Sequence, residues 1–261
     1  MGFDFALILV IAAVVTGTIW AVDAIRFRPA RERQAAASPL PDEVIKEPVV
    51  VEYSRSFFPI ILLVLLVRSF LYEPFRIPSD SMMPTLLDGD FIFVNKYVYG
   101  LRLPVVNSKL VPLGQPERGD VVVFRLPRDP TTNYIKRVIG LPGDRIGFED
   151  KRLLINGEPV ELDCGSIYVY PGHENARLCT ELLGEATHRL IHLPRSRPRI
   201  MRDEYVVPEA HFFVMGDNRD NSKDSRFPEV GFIPESHLVG EAVRIWMNLD
   251  WQWSRIGNRI E

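Results

Sequence analysis

Eighteen consecutive residues near the start of this chain, Phe5 to Val22 (FALILVIAAVVTGTIWAV), carry no charged side chain. A run of that length and apolarity crosses the hydrocarbon core of a bilayer as a helix. It does not read as a cleavable signal peptide, because MGFD before it holds an acid where a basic residue is wanted, and no clean small-x-small site follows. A second apolar run, Phe57 to Tyr72, is interrupted only near its far end by Arg68, whose stem can carry its charge to the headgroups. Its uninterrupted part, FFPIILLVLLV, is short, so an amphipathic or core helix is the competing reading of that segment.

Arg26, Arg28, Arg31, Arg33, Lys46 and Arg55 lie between the two runs, whereas no basic residue precedes Phe5. The positive-inside rule therefore puts the connection in the cytoplasm and both ends of the chain outside. The expected organisation is an exterior N-terminus at 1–4, spans at 5–22 and 56–72, a cytoplasmic linker at 23–55 and an exterior domain at 73–261. In a bacterial inner (cytoplasmic) membrane the exterior is the periplasm. A net charge of −3 and a pI near 6.0 give no basic face for phosphates, so nucleic acid is not an expected partner.

Beyond Tyr72 the helical pattern gives way to short runs rich in β-formers: FIFVNKYVY, DVVVFRL, YIKRVIG, RLLING, HFFVMGD and EAVRIWM. Turn signals such as Gly89-Asp90, Pro142-Gly143-Asp144 and Asn156-Gly157 separate them. The expected fold class is mainly β: an antiparallel, barrel-like domain with a β-rich insertion at about 145–210, preceded by two transmembrane helices. Cys164 and Cys179, fifteen positions apart, have no further ligand at metal spacing, and no metal site or cofactor is expected. Outside the cell they suit a disulfide, contributing roughly 3 kcal/mol by loop closure, and two buried free thiols are the alternative.

The first candidate for chemistry directly follows the second span: Ile77-Pro-Ser-Asp-Ser-Met-Met-Pro-Thr-Leu. Taken alone, two serines between prolines are a hydrogen-bonded turn. Beside a bilayer, the same serines are placed for a substrate held in that bilayer. No G-x-S-x-G elbow and no S-x-x-K is present, and the five histidines show no arrangement that ties one to a serine. A lysine base remains. Lys136 lies in NYIKRVIG, where strand alternation puts it on one face with Tyr134 and puts Ile135 and Arg137 on the other. A lysine with its ordinary pKa of about 10.4 is neutral in only about one molecule in a few thousand at pH 7, so such a base has to be buried among apolar neighbours. A third segment, MGDNRDNSKDSRF, departs from the calcium-loop template at its sixth and twelfth positions and reads better as a hydrogen-bonded loop that orients catalytic groups.

Together with RSFLYEPF, RGDVVVFRLP and GFIPESHLVGEAVRIWM, these segments resemble bacterial type I signal peptidases of the Gram-negative, two-span form, and the resemblance covers almost the whole chain. It implies a membrane-bound serine endopeptidase that removes signal peptides from exported preproteins after small-x-small sites. Its implied partners are preprotein signal peptides, the lipid bilayer and the secretion translocon. By position, Ser81 matches the nucleophile and Lys136 the general base. The Ser81 N–H and the Ser79 hydroxyl match the oxyanion donors, which in other proteases contribute about 3–4 kcal/mol each. Ser222 matches a serine that bonds the lysine, and Asp224 with Arg226 matches the pair that steadies the loop. Phe75, Ile77, Met82, Leu86, Ile92, Val123, Tyr134 and Ile135 match the positions lining the S1 and S3 subsites. Trp246, Trp251 and Trp253 fall where the family's aromatic residues dip into the membrane interface, core packing being the other reading of Trp246.

One departure stands out: Asp80 occupies the place between the two serines where the family usually has glycine, and its carboxylate is expected to point to solvent. Two other functions compete. One is a self-cleaving Ser/Lys protein, as among SOS-type repressors, although those carry a DNA-binding head and no spans. The other is a membrane-tethered binding module without catalysis.

Overall fold

The computed structural model describes residues 5–37, 47–102, 109–173, 175–193 and 204–261. The chain divides into a helical unit ending at Leu71 and a β unit made of Tyr72–Leu101 and Lys109–Glu261.

In the helical unit, Phe5–Val22 is one helix that continues through a π segment, Asp23–Phe27, into Arg28–Ala37. The second long helix, Val49–Phe70, begins earlier than the apolar run alone indicates. Both helices are long and apolar enough to cross a membrane. Most of their apolar side chains face outward, with Val14 and Leu63 each 62% exposed, as suits helices surrounded by lipid and not by protein. The two helices run antiparallel, since Trp20 packs near Phe58 and the Arg68 guanidinium lies 4.7 Å from the centre of the Phe5 ring. Gly17 permits the close approach: a Cβ there would come within 2.7 Å of Phe58.

The β unit is built on a seven-stranded antiparallel sheet. Its spatial order is Tyr72–Arg76, Asp90–Asn95, Leu238–Asn248, Val121–Leu126, Asp129–Gly140, His211–Met215 and Ile233–Pro234. Shifts of register in the Leu238–Asn248 strand bend it between its two neighbours, as bulges do. From Ile135 to Gly140 the Asp129–Gly140 strand is buried at every position, so both of its faces are covered. One core cluster gathers Ile77, Met82, Leu86, Ile92, Val94, Val123 and Ile135 on one side. A second gathers Val122, Phe124, Val138, Phe212 and Val214.

The stretch expected as one insertion behaves as two pieces. Strands Arg145–Glu149, Arg152–Ile155 and Glu158–Pro159 pair with each other and with Tyr205–Val206. Their side chains Ile146, Phe148 and Leu153 pack with Phe213 and Met215 of the main sheet. Glu161–Tyr168, Ala176–Leu183 and Ala186–His192 form a separate three-stranded meander, and a disulfide joins Cys164 to Cys179 across its first pair.

Candidate active site

The segment after Ile77 enters the site extended at Ser79 and then makes one 3-10 turn, Asp80–Met82, closed by the Met83 N–H donating to the Asp80 carbonyl. Burial of Met82 and Leu86 pins that turn to the core. Ser81 is its middle residue. The leading N–H groups of such a turn have no partner within it and stay available as donors. The Ser79 and Ser81 hydroxyl oxygens are 3.3 Å apart.

Lys136 comes from the neighbouring strand, paired with Val122, and is 3% exposed. Its Nζ lies 2.7 Å from Ser81 Oγ and 2.7 Å from the Ile135 carbonyl oxygen. The Tyr134 ring centre is 5.6 Å from the same nitrogen. No carboxylate among the described residues forms an ion pair with it. Burial pushes the lysine pKa down to about 8, against the pull of the more distant Asp224 and Asp217 charges.

The loop from Gly216 to Arg226 braces this pair. Asn218 donates its backbone N–H to the Ser81 carbonyl and its side-chain N–H to the Asp80 carbonyl, each over 3.1 Å. Gly216 is required by space: a Cβ there would collide with both the Ser81 carbonyl oxygen and the Ser222 side chain. The Gly216 N–H donates to Asp224, which also receives two bonds from the Arg226 guanidinium at 2.8 Å. Burial alone would raise the Asp224 carboxyl, but Arg226 and the Gly216 N–H hold it below the usual carboxylate range. Arg226 reaches on to the Arg219 carbonyl. Asp217 and Asp220 are likewise committed, to Arg137 and Thr85 and to Lys151 and the Leu193 N–H respectively. The acidic side chains of this loop thus serve bonds within the fold.

Two expectations are corrected by the geometry. Ser222 makes no bond to Lys136: its side chain packs against Gly216 beside Asp224, while Ser81 and the Ile135 carbonyl take the amine. Asp80 does not point freely to solvent. Its side chain is 37% exposed, and its Oδ2 lies 3.2 Å from His173 Nε2.

A family model described as "Signal peptidase, peptidase S26" matches residues 50–247, a stretch that contains every group just described except the span before it. The chain belongs to the peptidase S26 signal peptidase family. Curated relatives named signal peptidase I include one from Pseudomonas aeruginosa, 46% identical and covering 99% of this chain and 96% of that protein. Another, from Pseudomonas fluorescens, is 49% identical over 95% of this chain and 93% of its own length. A crystal structure of a signal peptidase I from Enterococcus faecalis V583 is 28% identical and covers 49% of this chain and 96% of that one, with a TM-score of 0.29, too loose a superposition to bear on the site.

The eight residues matched to the peptidase subsites separate by depth. Ile77, Met82, Leu86, Ile92 and Val123 are buried in the cluster beneath the serine turn and form a floor, not an open wall. Phe75 packs at the edge of that cluster, Ile135 is 8% exposed, and Tyr134 packs with the second cluster against Phe124. Sequence reasoning missed a buried ionic cluster next to the site. Arg137, adjacent to the lysine, grips Asp217 through two bonds of 2.8 and 2.7 Å. Arg219 grips Glu181 of the meander in the same two-pronged way. His188 lies between the pairs, its pKa pushed down to about 4 by burial and then by the Arg137 charge. The only signal for this cluster in the sequence was the density of charged residues in GDNRD, which does not name distant partners.

Proposed function

We propose that this family member is a membrane-bound serine endopeptidase in which Ser81 is the nucleophile and Lys136 the general base, cutting signal peptides from exported preproteins after small-x-small sites. The observation that carries the reading is a buried amine 2.7 Å from a serine hydroxyl with no acid among the described residues paired to it. In its neutral form, Lys136 accepts the Ser81 proton as Oγ attacks the scissile carbonyl. The ammonium then passes that proton to the departing amine of the mature protein, leaving the signal peptide as an ester on Ser81. Neutral again, the lysine takes a proton from the water that attacks the ester and returns it to Ser81 Oγ as the ester bond breaks, releasing the signal peptide carboxylate and restoring the serine.

The negative charge of each tetrahedral intermediate falls to the Ser81 N–H and the Ser79 hydroxyl. Asp224 and Arg226 keep the loop in place. Phe75, Tyr134 and Ile135 border the substrate over the shallow apolar floor, which favours small side chains. With the Arg-rich linker inside, the β unit works on the periplasmic side of the cytoplasmic membrane. Exposed Trp251 and Trp253, 69% and 68% accessible, suit a bilayer interface, whereas Trp246 stacks on Phe93 at 5.5 Å. Contact with the translocon that delivers the substrate belongs to the same reading. The test is cleavage of a purified preprotein in detergent or liposomes. Ser81→Ala and Lys136→Ala should each slow turnover by roughly 10³-fold or more, and a wild-type rate from either variant would sink the proposal.

A further inference from the structure

Asp80 is an acid bonded directly to both residues proposed to hold the oxyanion. A carboxylate a few ångströms from a developing negative charge opposes it. At an effective dielectric between that of protein and water, such repulsion slows a reaction on the order of tenfold. The chain therefore needs a reason why this acid does no harm.

The reason lies in the meander. Just before its second strand, Ala176–Leu183, a tight turn has the His173 N–H bonded to the Tyr170 carbonyl. This turn presents the imidazole to the serine segment. The His173 side chain is 9% exposed, its Nε2 is 3.2 Å from Asp80 Oδ2, and its Nδ1 is buried with no hydrogen-bond partner among the described residues. An imidazole with one idle nitrogen and one facing a carboxylate carries its hydrogen on the second, so Nε2–H donates to Asp80. Meanwhile the Asp80 backbone carbonyl is fixed by Asn218 of the Gly216 loop. The residue is held at both ends.

Resting on the roles given above to Ser81 and Ser79, we propose that His173 is a positioning residue for the oxyanion site. By binding Asp80, it keeps that carboxylate on the meander side of the serine turn, away from the donors that receive the intermediate's charge. The meander then does more than decorate the main sheet, because it supplies one group that the chemistry depends on.

The test compares wild type, His173→Gln, Asp80→Asn and the double variant on a preprotein substrate, with thermal unfolding of each to correct for folded fraction. His173→Gln should lower kcat on the order of tenfold with little change in KM, since the charge is felt in the transition state and not in binding. Adding Asp80→Asn to it should restore most of the loss, because the harmful charge is gone. A purely structural histidine would not be rescued that way. Asp80→Asn alone should change kcat far less than His173→Gln does, because the held carboxylate is already kept from the donors, and His173→Asn serves as the second variant if His173→Gln folds poorly. Wild-type kcat in His173→Gln, a double variant as slow as His173→Gln, or a rise or fall in kcat of about tenfold for Asp80→Asn alone would each overturn the inference. A Ser81→Ala control separates the two levels: if it still cleaves, the nucleophile assignment fails, whereas an inert Ser81→Ala beside an unresponsive His173→Gln removes the positioning role alone.

Discussion

Lys136 and Arg137 are neighbours on one strand, both cations by default and both almost wholly buried, yet the fold treats their charges in opposite ways. Arg137 is met by Asp217, Thr85 and the carbonyls of Gly119 and Glu261, enough acceptors to keep a guanidinium charged in the interior. Lys136 meets a hydroxyl and one carbonyl, and its pKa falls to about 8. The difference follows from chemistry: a guanidinium is always charged in a protein, whereas an ammonium can lose its proton. Burial brings the lysine within reach of losing its proton and leaves the arginine a structural cation.

The largest effect should come from erasing that contrast. Lys136→Arg puts a permanent cation beside Ser81 and should cost on the order of 10²–10⁴-fold in kcat/KM. The wild-type value should climb with pH through about 8 as the amine deprotonates, a limb the variant should lack. Steady-state kinetics from pH 6 to about 10 checks both. Next, breaking the paired cation by Asp217→Asn should destabilise the β unit by about 3–5 kcal/mol in denaturant unfolding, because it strands the Arg137 charge. Replacing both partners by apolar residues of similar size should cost much less.

The smallest effect has an unusual sign. The lysine's folded pKa of about 8 lies below its unfolded value, so between the two the unfolded chain binds more protons and wild-type stability rises with pH. Lys136→Met should therefore be more stable than wild type near pH 7, by about 3 kcal/mol, and that advantage should shrink to nothing above about pH 10.5. Unfolding curves across this range would measure it, and a variant less stable than wild type at neutral pH would contradict the account.

The two apolar helices were legible because an uncharged run has few alternatives. The strands of the main sheet were legible from short β-rich runs between turn signals. Alternation failed at the lysine, since it separates inside from outside only when one face of a strand meets water, and from Ile135 onward neither face does. That is why Arg137 passed unnoticed. Its partner is 80 residues away, and nothing local marks which of many acids will close on which arginine. The same holds for Arg219 with Glu181 and for Asp80 with His173: each pair is made by the meander folding back on the serine turn and the Gly216 loop. Ser81 and Lys136 themselves emerged through resemblance to a family, since a lone strand lysine and a serine in a turn are ordinary when taken one at a time.

The bare α-carbon at Gly216 has a consequence for drug resistance. Under the proposed mechanism, inhibitors that acylate Ser81 would invite escape by reshaping the surrounding wall, and the Gly216 loop is the natural place for such change. At this position the smallest possible addition, one methyl, already strikes the Ser81 carbonyl. Under the proposed mechanism, that route to resistance is closed at Gly216.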